Sequence, residues 1–249
     1  QIIRIQSIKG ILYVLITAII FYFIINRSMV MYVQLITDLR LAYKGLDLSH
    51  QTTLELDDKL FQLAYYDVLT GLPNKGLLEK TVTQYITEHP KDGVVGFIYF
   101  DIDEFSNINE VKGHSTGDEL LIKIAEILNK EVEEPNMLAR IGGDEFVLAL
   151  FSPNHLETFI PQVEHYIDLI RTTYLLDEDE FFVTYSVGVA IYPDNGIDYI
   201  TLLRHADTAQ AIAKSKGRDQ IVIFDDEMVS MIKQQTELLA QLRRAIENQ

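Results

Sequence analysis

An uncharged run near the N-terminus constrains the fold most. The segment ILYVLITAIIFYFII, residues 11–25, has no charged side chain, and Lys9 and Arg27 bracket it. The uncharged span, residues 10–26, has 17 residues, the short end of the roughly 17–25 that cross a bilayer. Long flanking cations can extend such a span. We therefore predict a transmembrane segment over residues 1–36, with its core at 10–27; a buried core helix and an uncleaved signal segment are the alternatives. Cations on both sides leave the orientation open.

Residues 37–64 are more polar but keep a helical pattern. Apolar side chains recur at helical spacing in two groups: Leu35, Leu39 and Ala42, then Leu56, Leu60 and Leu63. We interpret this segment as a helical stalk that pairs with a second copy of the chain. The alternative is a helix that packs on its own domain. The heptads are too few to predict a coiled coil outright.

The charge and cysteine content exclude several classes of function. The formal net charge is −16, so nonspecific nucleic-acid binding, which needs Lys and Arg to neutralise phosphates, is not expected. The chain has no cysteine, which excludes disulfides, cysteine-ligated zinc and a thiol nucleophile. A phosphate ligand would need bridging cations, backbone N–H groups or a few well-placed Lys and Arg side chains.

From residue 65 onward, helical and strand patterns alternate. The run GVVGFIYFDI, residues 93–102, is almost continuously apolar and predicts a central strand buried on both faces. Two further strands, 136–141 and 145–151, are joined at Gly-Gly, which suits a type I′ turn. Helices are predicted over 74–89, 115–130, 155–174 and 198–217, and strands over 180–193 and 220–224. The order predicts an α+β fold: a mixed, mostly antiparallel sheet flanked by helices, mainly on one side, as in a ferredoxin-like palm.

Four carboxylates stand where this fold would bring strand ends together. Asp101 and Asp103 end the central strand, although a helix that starts near Glu104 would let their side chains diverge. Asp144 and Glu145 lie at the hairpin. Clustered carboxylates repel one another unless a cation pairs them, and Mg²⁺ prefers one or two carboxylates plus substrate phosphates. The pattern favours a divalent-metal phosphoryl-transfer site over a helix cap and a solvated hairpin tip.

The segment NEVKGHSTGD, residues 109–118, has two glycines in five residues, as in a tight loop before a helix. Asn109 and Asp118 together offer the donor and acceptor groups that a guanine edge requires. The alternative is a capped loop in which His114 is structural.

The segment AKSKGRD, residues 213–219, ends a predicted helix with Lys214, Lys216 and Arg218. Cations at a helix C-terminus are favourable for the helix dipole alone. In an acidic domain, this is also one of the few clusters able to face phosphates.

These blocks, in this order, resemble the GGDEF family of diguanylate cyclases. The matching segments are DVLTGLPN, FDIDEFSNINEVKGHSTGD, ARIGGDEF, YSVGVAIYP and ADTAQAIAKSKGRD. They assign residues 65–225 to a domain with a nucleotidyl-cyclase palm. The resemblance implies that two GTP molecules, one on each of two facing domains, condense to cyclic di-GMP and two pyrophosphates. It also implies Mg²⁺ or Mn²⁺, an obligatory homodimer, and a cytoplasmic catalytic domain at the inner (cytoplasmic) membrane.

The resemblance also assigns roles by position. Metal ligands would be Asp101, the carbonyl of Ile102, Asp144 and Glu145. Asp144 or Glu145 would assist deprotonation of the attacking hydroxyl. The GTP-binding residues would be Asn109, Asp118 and His114 at guanine, Lys214 and Arg218 at the phosphates, and Gly142 and Gly143 where the hairpin backbone approaches the nucleotide.

Three positions depart from the family pattern. Ser106 stands where a phosphate-contacting Lys is usual, and Ala211 replaces a usual Tyr. The product-inhibition motif RxxD would fall on residues 133–136, but Glu133 and Asn136 occupy its Arg and Asp positions. We therefore expect no inhibitory site there.

Two functions remain open. The first is a membrane-tethered diguanylate cyclase in bacterial second-messenger signalling. The second is a catalytically weak GTP-binding module that regulates a downstream EAL phosphodiesterase, because residues 226–249 are similar to the connector helix that precedes such a domain. The chain begins with Gln1 and ends within a helical pattern, so we expect further domains on either side.

Overall fold

The computed structural model describes residues 2–90, 93–151, 156–176 and 178–228. In chain order the elements are α1 (Ile2–Tyr65), α2 (Lys75–Glu88), β1 (Val95–Ile102), α3 (Phe105–Lys112), α4 (His114–Glu131), β2 (Met137–Gly142), β3 (Glu145–Phe151), α5 (Leu156–Ile170), β4 (Thr173–Leu176), β5 (Asp179–Phe182), β6 (Tyr185–Tyr192), α6 (Tyr199–Ser215) and β7 (Gln220–Ile223). The chain divides into two compact units, Gln1–Leu60 and Phe61–Gln249. The predicted connector helix lies outside the described residues beyond Met228.

The first unit is helical throughout its described part. By length and composition alone, α1 is apolar enough to cross a membrane: its most apolar stretch has a mean hydropathy of 2.0 and no buried residue. The stalk leucines are each more than half exposed: Leu35, Leu39, Leu56, Leu60 and Leu63.

The second unit is built on a five-stranded sheet in the order β2-β3-β1-β6-β7. Strand β1 pairs antiparallel with both β3 and β6, and only the β6–β7 pair is parallel. Every residue of β1 is buried, as its continuous apolar sequence predicts. The prediction of a mixed, mostly antiparallel α+β fold is confirmed.

Helices cover both faces of this sheet. On one face, Ile98 and Phe100 of β1 pack in a core with α4 and α5. On the other face, Phe97 and Tyr99 pack with α2 and α6. The prediction that helices lie mainly on one side is therefore wrong. Successive strand residues point to opposite faces, so a continuously apolar strand needs both faces covered.

Two predicted boundaries are also wrong. The helix predicted over 155–174 ends at Ile170, and the strand predicted over 180–193 is divided into β5 and β6. Strand β4 begins within the segment predicted as a helix. It pairs antiparallel with β5 as a hairpin separate from the five-stranded sheet. In β4, Tyr174 and Leu176 are buried while Thr173 and Leu175 are exposed. This alternation has a period of two, which is the period of a strand and not of a helix.

Candidate functional site

The end of β1 lies beside the β2–β3 hairpin. Asp101 is opposite Glu145 of β3 and Ser186 of β6 in the strand register. The two loop residues of the hairpin are Gly143 and Asp144, because Gly142 pairs with Glu145. The turn is thus one position later than the predicted Gly-Gly turn, and Gly143 takes the left-handed φ of 54°.

A cleft of about 460 Å³ opens at this sheet end, and we call it the strand-end cleft. It collects residues that lie far apart in the sequence, including Asp101, Ile102, Ser106, Asn109, Asp144, Lys214 and Arg218. Lys214 Nζ donates a hydrogen bond to Asp101 Oδ2 at 2.7 Å. The other predicted site residues do not line this cleft: Glu145 lies next to it in the register, and His114, Asp118, Gly142 and Gly143 are exposed.

Two carboxylates of the strand-end cleft, Asp101 and Asp144, have raised pKa values. Burial raises the pKa of Asp101 to about 6; the Lys214 hydrogen bond opposes this shift, and the charge of Asp144 adds to it. Burial also raises the pKa of Asp144, and Glu145 contributes to that shift. Among the described residues, no three acidic or histidine side chains lie close enough to hold a metal by themselves. This donor set fits an ion that also takes ligands from water or a substrate, as Mg²⁺ does.

Tyr99 and Asp207 also lie close to Glu145, and the sequence did not single them out. Burial, followed by the charge of Glu145, raises the pKa of both side chains. Tyr99 precedes Asp101 by two residues and so shares its sheet face. This relation follows from strand alternation, whereas the position of Asp207 on α6 depends on the tertiary fold.

Asp103 does not share the environment of Asp101. Its carboxylate accepts hydrogen bonds from Thr184 Oγ1 at 2.8 Å, Ser186 Oγ at 2.6 Å and the Asp219 N–H at 3.1 Å. These bonds connect the end of β1 to the start of β6, through Thr184 and Ser186, and to the loop that follows α6, through Asp219. Asp103 therefore has its acceptors occupied and positions the wall of the cleft, which settles the divergence left open by the sequence.

Asn109 presents an unused acceptor. Its Oδ1 is buried and has no hydrogen-bond partner among the described residues. Gly117 of α4 packs directly against it, since a Cβ at position 117 would lie 2.1 Å from that oxygen. An unpaired buried acceptor is costly, so an N–H donor that reached this oxygen would stabilise it.

A clamp between two distant segments holds the hairpin turn. Arg140 Nη1 donates to Asp67 Oδ1 at 2.8 Å, and Arg140 Nε and Nη2 donate to the Gly143 carbonyl at 2.9 and 2.7 Å. Thr70 also donates to Asp67. No sequence pattern predicts this pair, because its partners are 73 residues apart and follow no periodic spacing.

We expect Asp67→Ala to lower the free energy of unfolding by about 1–3 kcal/mol, because it removes the carboxylate that pairs with the nearly buried Arg140. Burial alone would raise the pKa of Asp67, but Thr70 and Arg140 outweigh burial and lower it. The contribution of Asp67 is therefore complete above its unfolded pKa of about 4 and is lost as the pH falls through the lower folded value.

Urea unfolding of the wild type and of Asp67→Ala, at pH 7 and below pH 4, measures the loss of stability at each pH. Asp168→Ala is the control, because its exposed ion pair with Arg171 should contribute below about 1 kcal/mol. An Asp67 effect that is equally large at both pH values would contradict the clamp.

Comparison with known proteins identifies the domain. A family model described as "Diguanylate cyclase, GGDEF domain" matches residues 64–220. Cyclic di-GMP phosphodiesterase PdeR of Escherichia coli K12 is 33% identical over 208 residues, which are 84% of this chain and 31% of PdeR. Bifunctional diguanylate cyclase/cyclic di-GMP phosphodiesterase MucR of Pseudomonas aeruginosa is 34% identical over 190 residues, 76% of this chain and 28% of MucR. The chain thus spans about a third of these relatives.

A solved structure shares the fold. The crystal structure of a sensory box/GGDEF family protein from Caulobacter crescentus CB15 superposes with a TM-score of 0.59 at 31% identity. The match covers 62% of this chain and the whole of the Caulobacter crescentus chain. The chain therefore belongs to the GGDEF family of diguanylate cyclase domains.

Proposed function

We propose that this domain is a diguanylate cyclase, which condenses two GTP molecules into cyclic di-GMP and two pyrophosphates. The observation that carries the proposal is the composition of the strand-end cleft. It combines the unpaired acceptor of Asn109, the carboxylates of Asp101 and Asp144, and the cations Lys214 and Arg218. The pKa of each of the two carboxyl groups is raised. A guanine nucleotide offers N–H donors, a triphosphate and a ribose hydroxyl to these three groups.

In this proposal the two ends of GTP are held by different elements. The guanine N1–H and N2–H₂ groups donate to Asn109 Oδ1 in the cleft and to the exposed Asp118, which follows Gly117 on α4; the exposed His114 is a further contact of the base outside the cleft. Lys214 and Arg218 contact the phosphates. Arg218 has no ion pair among the described residues, whereas Lys214 is shared with Asp101. The exposed Gly142 and Gly143 leave room for the hairpin backbone beside the nucleotide.

The chemistry requires a cation and a base. Mg²⁺ or Mn²⁺ would be held by Asp101, the carbonyl of Ile102, Asp144 and Glu145. When bound, such an ion offsets charge that develops on the phosphate oxygens. The raised pKa of Asp101 supports this assignment, because burial and the nearby charge of Asp144 disfavour its ionised carboxylate despite the Lys214 hydrogen bond. Asp144 or Glu145 accepts the proton of the attacking 3′-hydroxyl.

Two copies are needed, because each hydroxyl attacks the α-phosphate of the other GTP. The exposed leucines of the stalk, residues 37–64, support pairing of two α1 helices. The apolar part of α1 supports anchoring in the inner membrane, with the GTP-binding domain on the cytoplasmic side, where GTP is available. The names of PdeR and MucR support a cyclic di-GMP phosphodiesterase domain in the same protein. The similarity of residues 226–249 to a connector helix supports an EAL domain that follows this one.

A second candidate function is a catalytically weak GTP-binding module that regulates such a phosphodiesterase. Ser106 favours it, because this residue lines the strand-end cleft where the family usually places a Lys. One cation fewer weakens stabilisation of the transition state more than it weakens guanine recognition. PdeR, which is similar over 84% of this chain, is named a phosphodiesterase only.

The deciding experiment is incubation of the chain with GTP and Mg²⁺, followed by chromatography of the products. Cyclic di-GMP, with no product from ATP, supports the cyclase. Binding of GTP without turnover, even when a fused coiled coil enforces dimerisation, rejects the cyclase and favours the regulatory module.

Adding a cation to the strand-end cleft should raise the rate. We expect Ser106→Lys to increase turnover by about tenfold, the equivalent of about 1.4 kcal/mol of transition-state stabilisation. Steady-state kinetics with GTP measures this, and Ser106→Gln controls for side-chain length without charge. An unchanged rate in Ser106→Lys would mean that Lys214 and Arg218 already supply the needed charge.

Cyclic di-GMP should not inhibit the cyclase by binding at residues 133–136, where the family has its RxxD motif. Asn136 has a structural role there, since its Oδ1 accepts the Phe151 N–H at 3.0 Å. We expect the initial rate to be unchanged by added cyclic di-GMP at concentrations that match the substrate. The combined substitutions Glu133→Arg and Asn136→Asp restore the motif and keep an acceptor for Phe151, so this variant should gain inhibition. Tight inhibition of the unaltered chain would contradict the expectation unless a different site were mapped.

A further inference from the structure

One tyrosine of the central strand lies beside the hairpin carboxylate Glu145. Tyr99 of β1 is opposite Val147 of β3 and Gly188 of β6 in the strand register. Glu145 comes two residues before Val147, so Tyr99 and Glu145 form a diagonal pair on one face of the sheet. Long and aromatic side chains reach across such a diagonal, and the Tyr99 hydroxyl is within hydrogen-bonding reach of the Glu145 carboxylate.

Helix α6 crosses the same face of the sheet close to Tyr99. A Cβ on Gly188, the strand neighbour of Tyr99, would lie 2.0 Å from the Ala206 carbonyl oxygen of α6. Tyr99 is only 5% exposed. Burial is the main cause of its raised pKa, and the charges of Glu145 and Asp207 add to it. The Tyr99 side chain is thus enclosed next to two carboxylates, to which a protonated hydroxyl can donate.

Packing alone does not require a hydroxyl at position 99. Phe97 lies on the same face two residues earlier and packs edge-on against Tyr199, with the ring centroids 5.9 Å apart. A phenyl ring without a hydroxyl therefore fits this layer of the core. Because a buried hydroxyl is unfavourable unless it has a polar partner, the Tyr99 hydroxyl contributes through such a partner and not through packing.

Glu145 stands among like charges. Besides burial, its charge contributes to the raised pKa of three acidic side chains: Asp101, Asp144 and Asp207. Among the described residues, Glu145 takes part in no ion pair. Repulsion from its neighbours would turn this half-buried side chain toward water unless a donor held it. Tyr99 supplies a donor from the adjacent strand.

We infer that Tyr99 is a positioning residue for the metal site of the proposed cyclase. Its hydroxyl donates to one oxygen of Glu145 and holds the side chain so that the other oxygen points toward Asp101. The inference rests on the proposed function, which makes Glu145 a ligand of Mg²⁺ or Mn²⁺. Hydrogen bonds to a ligating group orient it, and their loss typically weakens metal binding about 10–100-fold. Tyr99 itself contacts neither the ion nor GTP.

Mn²⁺ binding to the full chain in detergent tests the inference without turnover. Electron paramagnetic resonance measures free Mn²⁺ in the presence of 3′-deoxy-GTP, which lacks the attacking hydroxyl. We expect Tyr99→Phe to weaken Mn²⁺ binding by about tenfold. Tyr192→Phe is the matched control, because Tyr192 is a buried tyrosine of the same core at the other end of the sheet, and it should bind Mn²⁺ as the wild type does. Equal affinity in Tyr99→Phe and the wild type overturns the inference.

A double-mutant cycle separates positioning from packing. If Tyr99 acts through Glu145, then Tyr99→Phe should not weaken Mn²⁺ binding further in a chain that already carries Glu145→Gln. Losses that multiply in the double variant would mean that Tyr99 acts on the fold or on another ligand, and would overturn the inference.

Product assays separate this inference from the proposed function. Weaker Mn²⁺ binding in Tyr99→Phe, without cyclic di-GMP formation by the wild type, retains the positioning role and rejects the cyclase. Cyclic di-GMP formation by the wild type, with equal Mn²⁺ affinity in Tyr99→Phe, retains the cyclase and rejects the positioning role.

Discussion

Asp101→Asn is expected to abolish formation of cyclic di-GMP while leaving the domain as stable as before, or more stable. The carboxylate at the end of β1 is a proposed metal ligand, and an amide is a much poorer ligand for a hard divalent cation. Loss of several kcal/mol of charge stabilisation in the transition state corresponds to a rate lower by roughly a thousandfold. Product chromatography after incubation with GTP and Mg²⁺ measures the loss.

The stability of Asp101→Asn should not fall with its activity, because burial of the charged Asp101 carboxylate is unfavourable for folding. Burial raises its pKa to about 6, so the folded domain disfavours the charged form that the site requires. Asparagine has nearly the same shape and no charge to bury. Its former partner Lys214 is 41% exposed and can return to water. Thermal unfolding followed by circular dichroism should therefore show an unchanged or higher midpoint.

Asp103→Asn is the matched control. This carboxylate accepts three hydrogen bonds, and an amide nitrogen would face donors there. We expect a loss of about 1–3 kcal/mol of stability. Equal destabilisation by both substitutions, or full activity in Asp101→Asn, would contradict the roles assigned to the two aspartates.

Gly188→Ala should destabilise the domain and disturb the cleft from a distance. A Cβ at position 188 of β6 would lie 2.0 Å from the Ala206 carbonyl oxygen and 2.3 Å from the Gln210 nitrogen. Both are backbone atoms of α6, so no side chain can swing aside and the helix itself must shift. Overpacking of this kind costs about 1–3 kcal/mol or more. A shift of α6 would also move Lys214 relative to Asp101.

Urea unfolding followed by circular dichroism measures the loss, since the chain has no tryptophan for fluorescence. Gly45→Ala is the control, because nothing lies within 4 Å of a Cβ there and alanine should favour the helix by up to about 1 kcal/mol. GTP affinity should fall in Gly188→Ala alone. Wild-type stability in that variant would show that α6 does not need this close approach.

Features encoded in local patterns could be read from the sequence. The continuous apolar run of β1 predicted a central buried strand, since only a strand covered on both faces removes such a run from water. The Gly-Gly segment predicted the hairpin beside Asp101 to within one residue. The strand and the turn needed only periodicity and turn chemistry, which act between near neighbours. The register that sets Glu145 opposite Asp101 belongs to the folded sheet.

Only the tertiary structure decided which distant groups meet. It separated Asp103, bonded to Thr184 and Ser186, from Asp101, bonded to Lys214. It also joined Arg140 to Asp67 and formed the β4–β5 hairpin beside α3. Those contacts depend on how α6 and the loops pack against the completed sheet. The spacing of residues in the sequence does not predict such packing. Burial of the whole core determines it, and a local helical or strand period does not.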